Sequence, residues 1–262
     1  MINHKILSNN EYLLRSVVLK LSYHAGDKAA HVGGALSILS FLSVLNFVEL
    51  YSSAIDHQSL ILSKGHACLA LYSLLVFNNV ITFEIASNNI FSNRSILLGH
   101  PCKNLDLGIM FSTGSLGNGI AHAAGLALAR KRNSDPNKVY VILGDGECNE
   151  GIVWESFEFI QRENLDNMFI FIDCNGWQQT QASLLSIDNY NSLIKRLKSF
   201  SFSVYDIDGH NYTQLHNCML DQVGAPKVVV ARTIKGYGVP SFENNNKWHH
   251  SIITKTDLEN LI

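Results

Sequence analysis

Val139-Tyr140-Val141-Ile142-Leu143-Gly144-Asp145-Gly146-Glu147 sets an unbroken apolar run directly against a Gly-Asp-Gly turn. The next apolar run, residues 168–172, ends in Asp173-Cys174-Asn175-Gly176. Apolar runs without polar alternation read as strands buried on both faces, the habit of a parallel sheet. Residues 150–163 between them carry a helical pattern, so the three elements make a βαβ unit. Its right-handed crossover makes the strands parallel and lets their carboxyl ends lie side by side. Asp145 and Asn175, thirty positions apart, then offer two oxygen ligands to one small cavity. The glycines let backbone amides approach a phosphate closely. Carboxylate and amide oxygens, without thiolate or imidazole, suit Mg²⁺ completed by substrate phosphates. Gly-Asp-Gly alone is more often an ordinary turn. Placed after a strand, with Asn closing the next strand, it reads as an Mg²⁺-diphosphate site.

The same pattern extends outward. Residues 11–25 read as an amphipathic helix with Leu14, Val18 and Leu21 on one face. Apolar helices within residues 34–50 and 67–78 flank a short strand at 60–62, and residues 80–110 read as loops with short elements. An Ala-rich helix at 119–131 precedes the central unit; strands at 202–207 and 228–232 follow it, with a helix at 212–222 between them. The expected fold is α/β, a doubly wound, mostly parallel sheet with helices on both faces and ligands at the C-terminal strand ends. With no repeat and no Pro/Gly-rich linker, residues 1–262 are expected to form a single domain.

Bulk properties narrow the class. Hydrophobic residues make up 47% and charged residues 16%, with mean hydropathy +0.08. That is apolar for a soluble protein, so part of the surface is expected to be covered by another chain. A formal net charge of -2 without a basic run argues against nucleic acid as a partner. The five cysteines are odd in number and widely spread. They show neither a disulfide framework nor metal-ligand spacing, which suits a reducing, cytoplasmic setting. Residues 1–10 are polar and hold no signal-peptide core. The most apolar stretch, 36–50, is interrupted by Ser37, Ser40, Ser43, Asn46 and Glu49. It falls short of the roughly 20 apolar residues a membrane span needs and reads as a buried helix.

Gly144-Asp-Gly through Asn175 resembles the thiamine diphosphate motif, and the wider run from Gly144 to Glu155 is similar to the version in transketolases, especially split, two-gene forms. Further blocks follow in the family's order: His31-Val-Gly-Gly-Ala, Leu62-Ser-Lys-Gly-His-Ala, Gly99-His-Pro, Ser112-Thr-Gly-Ser-Leu-Gly-Asn-Gly-Ile, and Asn244-Asn-Asn-Lys-Trp-His-His. The resemblance implies that Asp145, Asn175 and the main-chain carbonyl of Trp177 bind Mg²⁺, or another divalent cation such as Ca²⁺. It implies that Gly114 and Gly146 cradle the diphosphate of thiamine diphosphate, helped by His66 and His249, and that Leu116 packs near the thiazolium ring. His31, His66, His100 and His249 would surround the reacting carbon, holding sugar hydroxyls and moving protons. Glu150 would lie where the two cofactor-binding halves meet, linked to the catalytic glutamate of the other half.

The chemistry gives those histidines independent support. Carbanion addition to a ketose makes an alkoxide, and carbon–carbon cleavage needs that hydroxyl proton removed; imidazoles titrate near neutrality and serve both steps. The plain alternative for His31 is a helix N-terminal residue beside two glycines. For Glu150 it is an early-turn acid favoured by the helix dipole, and Asn118-Gly119 reads equally as helix-start chemistry. His24, His57, His122 and His216 sit in no motif and are expected to be structural. His250 stands where the family usually has glycine, and either alters donor fit or points to solvent. Val32 and Ser115 replace family prolines, as split forms commonly do, and Glu147-Cys148 follows the split-form pattern.

Transketolases hold their cofactor between a diphosphate domain and an aminopyrimidine domain that carries the activating glutamate. No segment here resembles the second domain or an acceptor-phosphate arginine cluster. The expectation is a half-enzyme, active with a separate C-terminal, aminopyrimidine-domain subunit in a heterotetramer. It would transfer a two-carbon ketol unit between small sugars, from a ketose to an aldose. The rival readings are a deoxyxylulose-phosphate synthase-like or 2-oxo-acid dehydrogenase alpha-like enzyme, and a non-catalytic scaffold. The complete histidine set favours ketol transfer over the first. The paired metal ligands weigh against the second. A nucleotide-binding α/β protein is more distant, because no G-x-G-x-x-G follows the first strand.

Overall fold

Alternate residues of each apolar strand face opposite sides of one sheet, and each side is covered by helices. Val139, Val141 and Leu143 pack into one core with Ile170 and Ile172. Their neighbours Tyr140, Ile142, Phe169 and Phe171 pack into the other. A strand buried on both faces has no polar alternation, which is why the sequence shows none.

The computed structural model describes residues 2–51, 59–93, 95–178, 181–182 and 187–261. In chain order the elements are α1 (His4–His24), α2 (Val32–Leu36), α3 (Leu39–Tyr51), β1 (Leu60–Leu62), α4 (Cys68–Phe77), α5 (Phe83–Asn89) and α6 (Asn118–Arg132). There follow β2 (Val139–Gly144), α7 (Gly151–Arg162), β3 (Met168–Cys174), β4 (Trp177–Gln178), β5 (Gln181–Ala182) and α8 (Ile187–Leu197). The chain finishes through β6 (Ser203–Asp208), α9 (Tyr212–Leu220), β7 (Lys227–Arg232) and α10 (Lys255–Leu261). Five strands form one sheet in the order β1-β2-β3-β7-β6, every neighbour parallel. The core containing α1 to α5 and α9 lies on one face; α6, α7 and α8 cover the other. The doubly wound expectation holds.

One local expectation needs correction. The helix expected over 34–50 is two helices, α2 and α3, because the chain turns at Ser37, whose hydroxyl lies 2.7 Å from Asp173 Oδ2 and 3.0 Å from Gly34 O and shares its one hydrogen between them. Within 80–110, read as loops with short elements, the one α-helix among the described residues is the short α5, formed behind an N-cap, Thr82, whose side chain accepts from the Ile85 amide at 3.2 Å. The helices α8 and α10 and the β4–β5 hairpin were not anticipated. No helix among the described residues is long and apolar enough to cross a membrane.

The register sets the geometry of the strand ends. Gly144 pairs with Asp173 and Cys174 with Arg232. Asp145, one residue beyond β2, donates its amide to Asp173 O at 3.2 Å. Asp145 and Asn175 therefore leave adjacent strands side by side, as expected.

Candidate active site

Polar side chains that are almost never buried gather at these strand ends. Ser63, Lys64, Asp145, Glu147, Asp173, Asn175 and Lys235 are all buried. Buried charges persist only when paired or bonded, and here several of the bonds tie one loop to another. Asp173 accepts from Ser37 (2.7 Å) and from Asn175 Nδ2 (2.9 Å), and is further bound by Lys64 and Thr233. Burial alone would raise its pKa; the Lys64 ammonium and the bonds from Lys64, Thr233 and Ser37 outweigh it and hold the carboxyl below its ordinary value. Asn175 is thereby fixed through its Nδ2, with Oδ1 accepting from the Trp177 amide at 3.1 Å.

Glu147 does the same on the other side. Its Oε1 accepts from Ser63 Oγ (2.7 Å) and the Gly117 amide (2.8 Å), and its Oε2 from the Gly144 amide (2.9 Å). One buried carboxylate thus joins the ends of β1 and β2 to the loop before α6.

Asp145 is different. One oxygen accepts from the Gly146 amide at 2.9 Å, whereas Oδ2 is buried without a hydrogen-bond partner. Burial first, then the neighbouring Asp173, pushes its pKa up to about 7. A desolvated, unpartnered carboxylate oxygen beside an amide oxygen is the donor set a hard divalent cation takes. The residues therefore fit Mg²⁺. Trp177 follows Asn175 at the start of β4, with Lys235 Nζ 5.3 Å from its ring centre.

The loop carrying Gly114 is shaped for close approach. Gly114 has φ +146°, and a Cβ there would meet the His100 ring at 3.2 Å. A Cβ on Gly65 would lie 3.0 Å from the Gly114 amide. Two backbones pressed together beside the strand ends suit a diphosphate cradle. Leu116, in the same loop, is 40% exposed. Glu150 is exposed at the N-cap of α7 and makes no capping bond.

The histidines converge. The His31 ring centre lies 5.4 Å from that of His66, 4.9 Å from His249 and 4.7 Å from His250. His31, His66, His100 and His250 line a cavity of about 260 Å³ with Lys28 and Leu98. Burial, then His249 and His250, lowers the His31 pKa to about 4. Burial and Lys64 lower that of His66; burial and Lys235 lower that of His249 to about 4. These three rings are neutral at pH 7. His250 lines the cavity, though it stays exposed.

Three histidines outside the motifs pack against aromatic rings. His24 packs edge-on against Phe83, His122 stacks on Phe111, and His216 packs near Phe47. His57 lies outside the described residues. Sequence reasoning missed Lys64, Asp173, Glu147 and Lys235; for Lys64 and Asp173 the signal available was a charged residue at the end of an apolar strand, while Glu147 and Lys235 lie three residues beyond β2 and β7.

Comparison with known proteins identifies the family. The transketolase, thiamine diphosphate binding domain family model matches residues 19–261. The chain belongs to that family. It is 32% identical over 252 residues to 6-deoxy-6-sulfo-D-fructose transketolase subunit SqwG of a Clostridium species, covering 92% of this chain and 90% of that one. It is 31% identical over 258 residues to an apulose-4-phosphate transketolase subunit of Phocaeicola vulgatus, covering 95% and 89%. Transketolase from Campylobacter jejuni superposes with TM-score 0.86 and 25% identity over 99% of this chain and 43% of that chain. The chain thus spans most of the subunit relatives and less than half of the Campylobacter enzyme.

Proposed function

We propose that this chain is the diphosphate-binding subunit of a transketolase that moves a two-carbon ketol unit from a ketose to an aldose. The observation that carries the reading is one cavity lined by His31, His66, His100 and His250 beside the strand ends that bear Asp145 and Asn175. Thiamine diphosphate, held with Mg²⁺ or a similar divalent cation, would supply the nucleophilic carbon that ketol transfer needs. Asp145, Asn175 and the Trp177 carbonyl hold the cation. Gly114 and Gly146 offer backbone amides to the diphosphate, helped by His66 and His249, and Leu116 gives an apolar contact to the ring. His31, His66 and His249, neutral at pH 7, are free to accept the hydroxyl proton whose loss precedes carbon–carbon cleavage. His100 holds a donor hydroxyl at the cavity wall.

A separate aminopyrimidine-domain subunit completes the site in this reading, in a heterotetramer with Glu150 at the contact between halves. The Clostridium and Phocaeicola relatives, matched over most of their length, both carry the word subunit in their names. Leu98, Leu116 and Ile252 are 37%, 40% and 47% exposed, and each lies on the cavity or within three residues of a proposed site residue. We take residues 1–262 as one domain, since both cores pack on one sheet. We place it in a reducing cytoplasm, since its five cysteines are free.

The test is His100→Ala in the assembled enzyme. It lowers ketol transfer about a hundredfold while thiamine diphosphate affinity changes less than about threefold. Ketol transfer within about threefold of the parent assigns His100 a structural role instead.

A further inference from the structure

His210 lies outside the cavity just described, at the N-terminal side of α9, and its hydrogen bonds run in one direction. The Ile234 amide donates to His210 Nε2 at 2.8 Å. A ring nitrogen that accepts carries no hydrogen, so the hydrogen of the neutral ring sits on Nδ1. Nδ1 is 3.0 Å from Ser40 Oγ and donates to it, and Ser40 Oγ in turn donates to Glu11 Oε2 at 2.7 Å. Glu11, itself buried, also accepts from the Tyr212 hydroxyl at 2.8 Å and pairs with Arg15. The His210 ring is stacked on Tyr237, centre to centre 3.4 Å.

What this chain of bonds holds is the turn over residues 234–237. The Gly236 amide also tethers it, donating to Gly33 O at 3.0 Å, and Lys235 O accepts from the Asn244 amide at 2.9 Å. The turn carries Lys235, whose Nζ lies 2.7 Å from His249 Nδ1. A Cβ on Gly33 would meet Lys235 Cγ at 3.0 Å, so the lysine stem has little room to shift. From His210 the contact path therefore runs through Ile234 and Lys235 to His249.

We propose that His210 is a positioning residue for the ketol-transfer site: its neutral Nδ1–H tautomer holds the 234–237 turn and so fixes Lys235 against His249, and protonation at Nε2 releases that turn. This role rests on the transketolase reading of the site. A protonated Nε2 presents a hydrogen to the Ile234 N–H, and the bond becomes a repulsion. The groups acting on the ring are Glu11 from α1, itself bonded by Arg15 and Tyr212, Asp173 from β3, Asp208 from the end of β6, and Tyr237 and Glu243 from the following loop. Glu11, Asp173, Asp208 and Glu243 favour the proton; burial opposes it and prevails, so the ring stays neutral at pH 7. Misplacement of His249 by a fraction of an ångström is enough to slow a proton transfer.

The test has two arms. In the first, the full chain with ¹⁵N-labelled histidine is followed by NMR from pH 8 to pH 5. At pH 7 His210 shows hydrogen on Nδ1 only, and the His249 ring signals move in His210→Leu but not in His210→Gln, whose side-chain oxygen still accepts from Ile234. A hydrogen on Nε2, or His249 signals indifferent to His210→Leu, overturns the proposal. In the second arm, the enzyme assembled with its partner subunit is assayed against pH. His210→Leu lowers kcat about tenfold with little change in ketose KM, while His210→Gln stays within about threefold and extends activity to lower pH. A glutamine variant as impaired as the leucine one, or an unmoved acid limb, overturns it equally. An assembled wild type without ketol transfer sinks the functional reading, and the NMR arm still decides the role of His210.

Discussion

Lys64 and Asp173 form an ion pair closed to solvent at both ends, with 1% and 0% of the side chains exposed. The pair joins the turn after β1 to the end of β3, and Asp173 in turn fixes Asn175. A buried pair of this kind adds little net stability over an apolar pair, but losing one partner strands a charge. Lys64→Met is expected to destabilise the chain by about 3–5 kcal/mol, read from the urea midpoint. The double variant Lys64→Met, Asp173→Leu recovers part of that loss. A Lys64→Met midpoint equal to the parent's would show that the pair is not holding the strand ends.

Gly119 meets β1's end at closer range than any side chain permits. A Cβ there would fall 2.5 Å from Ser63 Cα, so alanine pushes α6 away from the turn that also carries Lys64. Gly119→Ala is expected to cost about 2 kcal/mol, within the usual overpacking range. Thermal unfolding of the purified chain checks this, and an unchanged Tm removes the close-approach argument.

The central βαβ unit was legible because its strands are long, apolar and followed at once by Gly, Asp and Asn. Strand β1 was legible despite its three residues, since Leu60–Leu62 is uniformly apolar. The break between α2 and α3 was hidden because its cause is a bond from Ser37 to Asp173, distant in sequence. Helix α8 was missed although Leu193, Ile194 and Leu197 are core residues, because its polar positions interrupt the run. The liganding and histidine blocks were visible as residues. The bonds that aim them, through Asp173, Glu147 and Lys235, arise only when distant loops meet.

Asp145 gives a test that separates a ligand from a structural carboxylate. Its Oδ2 has no partner in the folded chain, and an unsatisfied buried acceptor costs about 1–3 kcal/mol. Asp145→Asn should leave the cofactor-free chain at least as stable as the parent, yet abolish Mg²⁺-dependent binding of thiamine diphosphate by calorimetry. A destabilised apo variant that still binds the cofactor contradicts the metal assignment.

The histidine cluster makes stability depend on pH. His31 and His249 have folded pKa values lowered from 6.5 to about 4. Between those values the unfolded chain takes up protons that the folded chain refuses. These two rings therefore withdraw stability as pH falls from about 6.5 to about 4, each by at most about 1.4 kcal/mol per pH step of one, less where solvent reaches it; Asp145, its pKa raised from 3.8 to about 7, acts in the opposite sense over the same range. Urea midpoints at pH 7 and pH 5 measure the slope, and the pair His31→Gln, His249→Gln makes the chain lose less stability, or gain some, on going from pH 7 to pH 5 than the parent does. A slope unchanged in the double variant would mean that other groups set it.

Ketol transfer by the purified chain, alone and then with an aminopyrimidine-domain subunit, tests the central claim most directly. The assay contains thiamine diphosphate, Mg²⁺ and a panel of ketose and aldose phosphates. The account predicts no turnover from the 262-residue chain alone and robust turnover on addition of the partner, because the exposed side of the cavity needs a second wall to keep water from the reacting carbon. Robust turnover by the chain alone, with the preparation free of the partner, would contradict it.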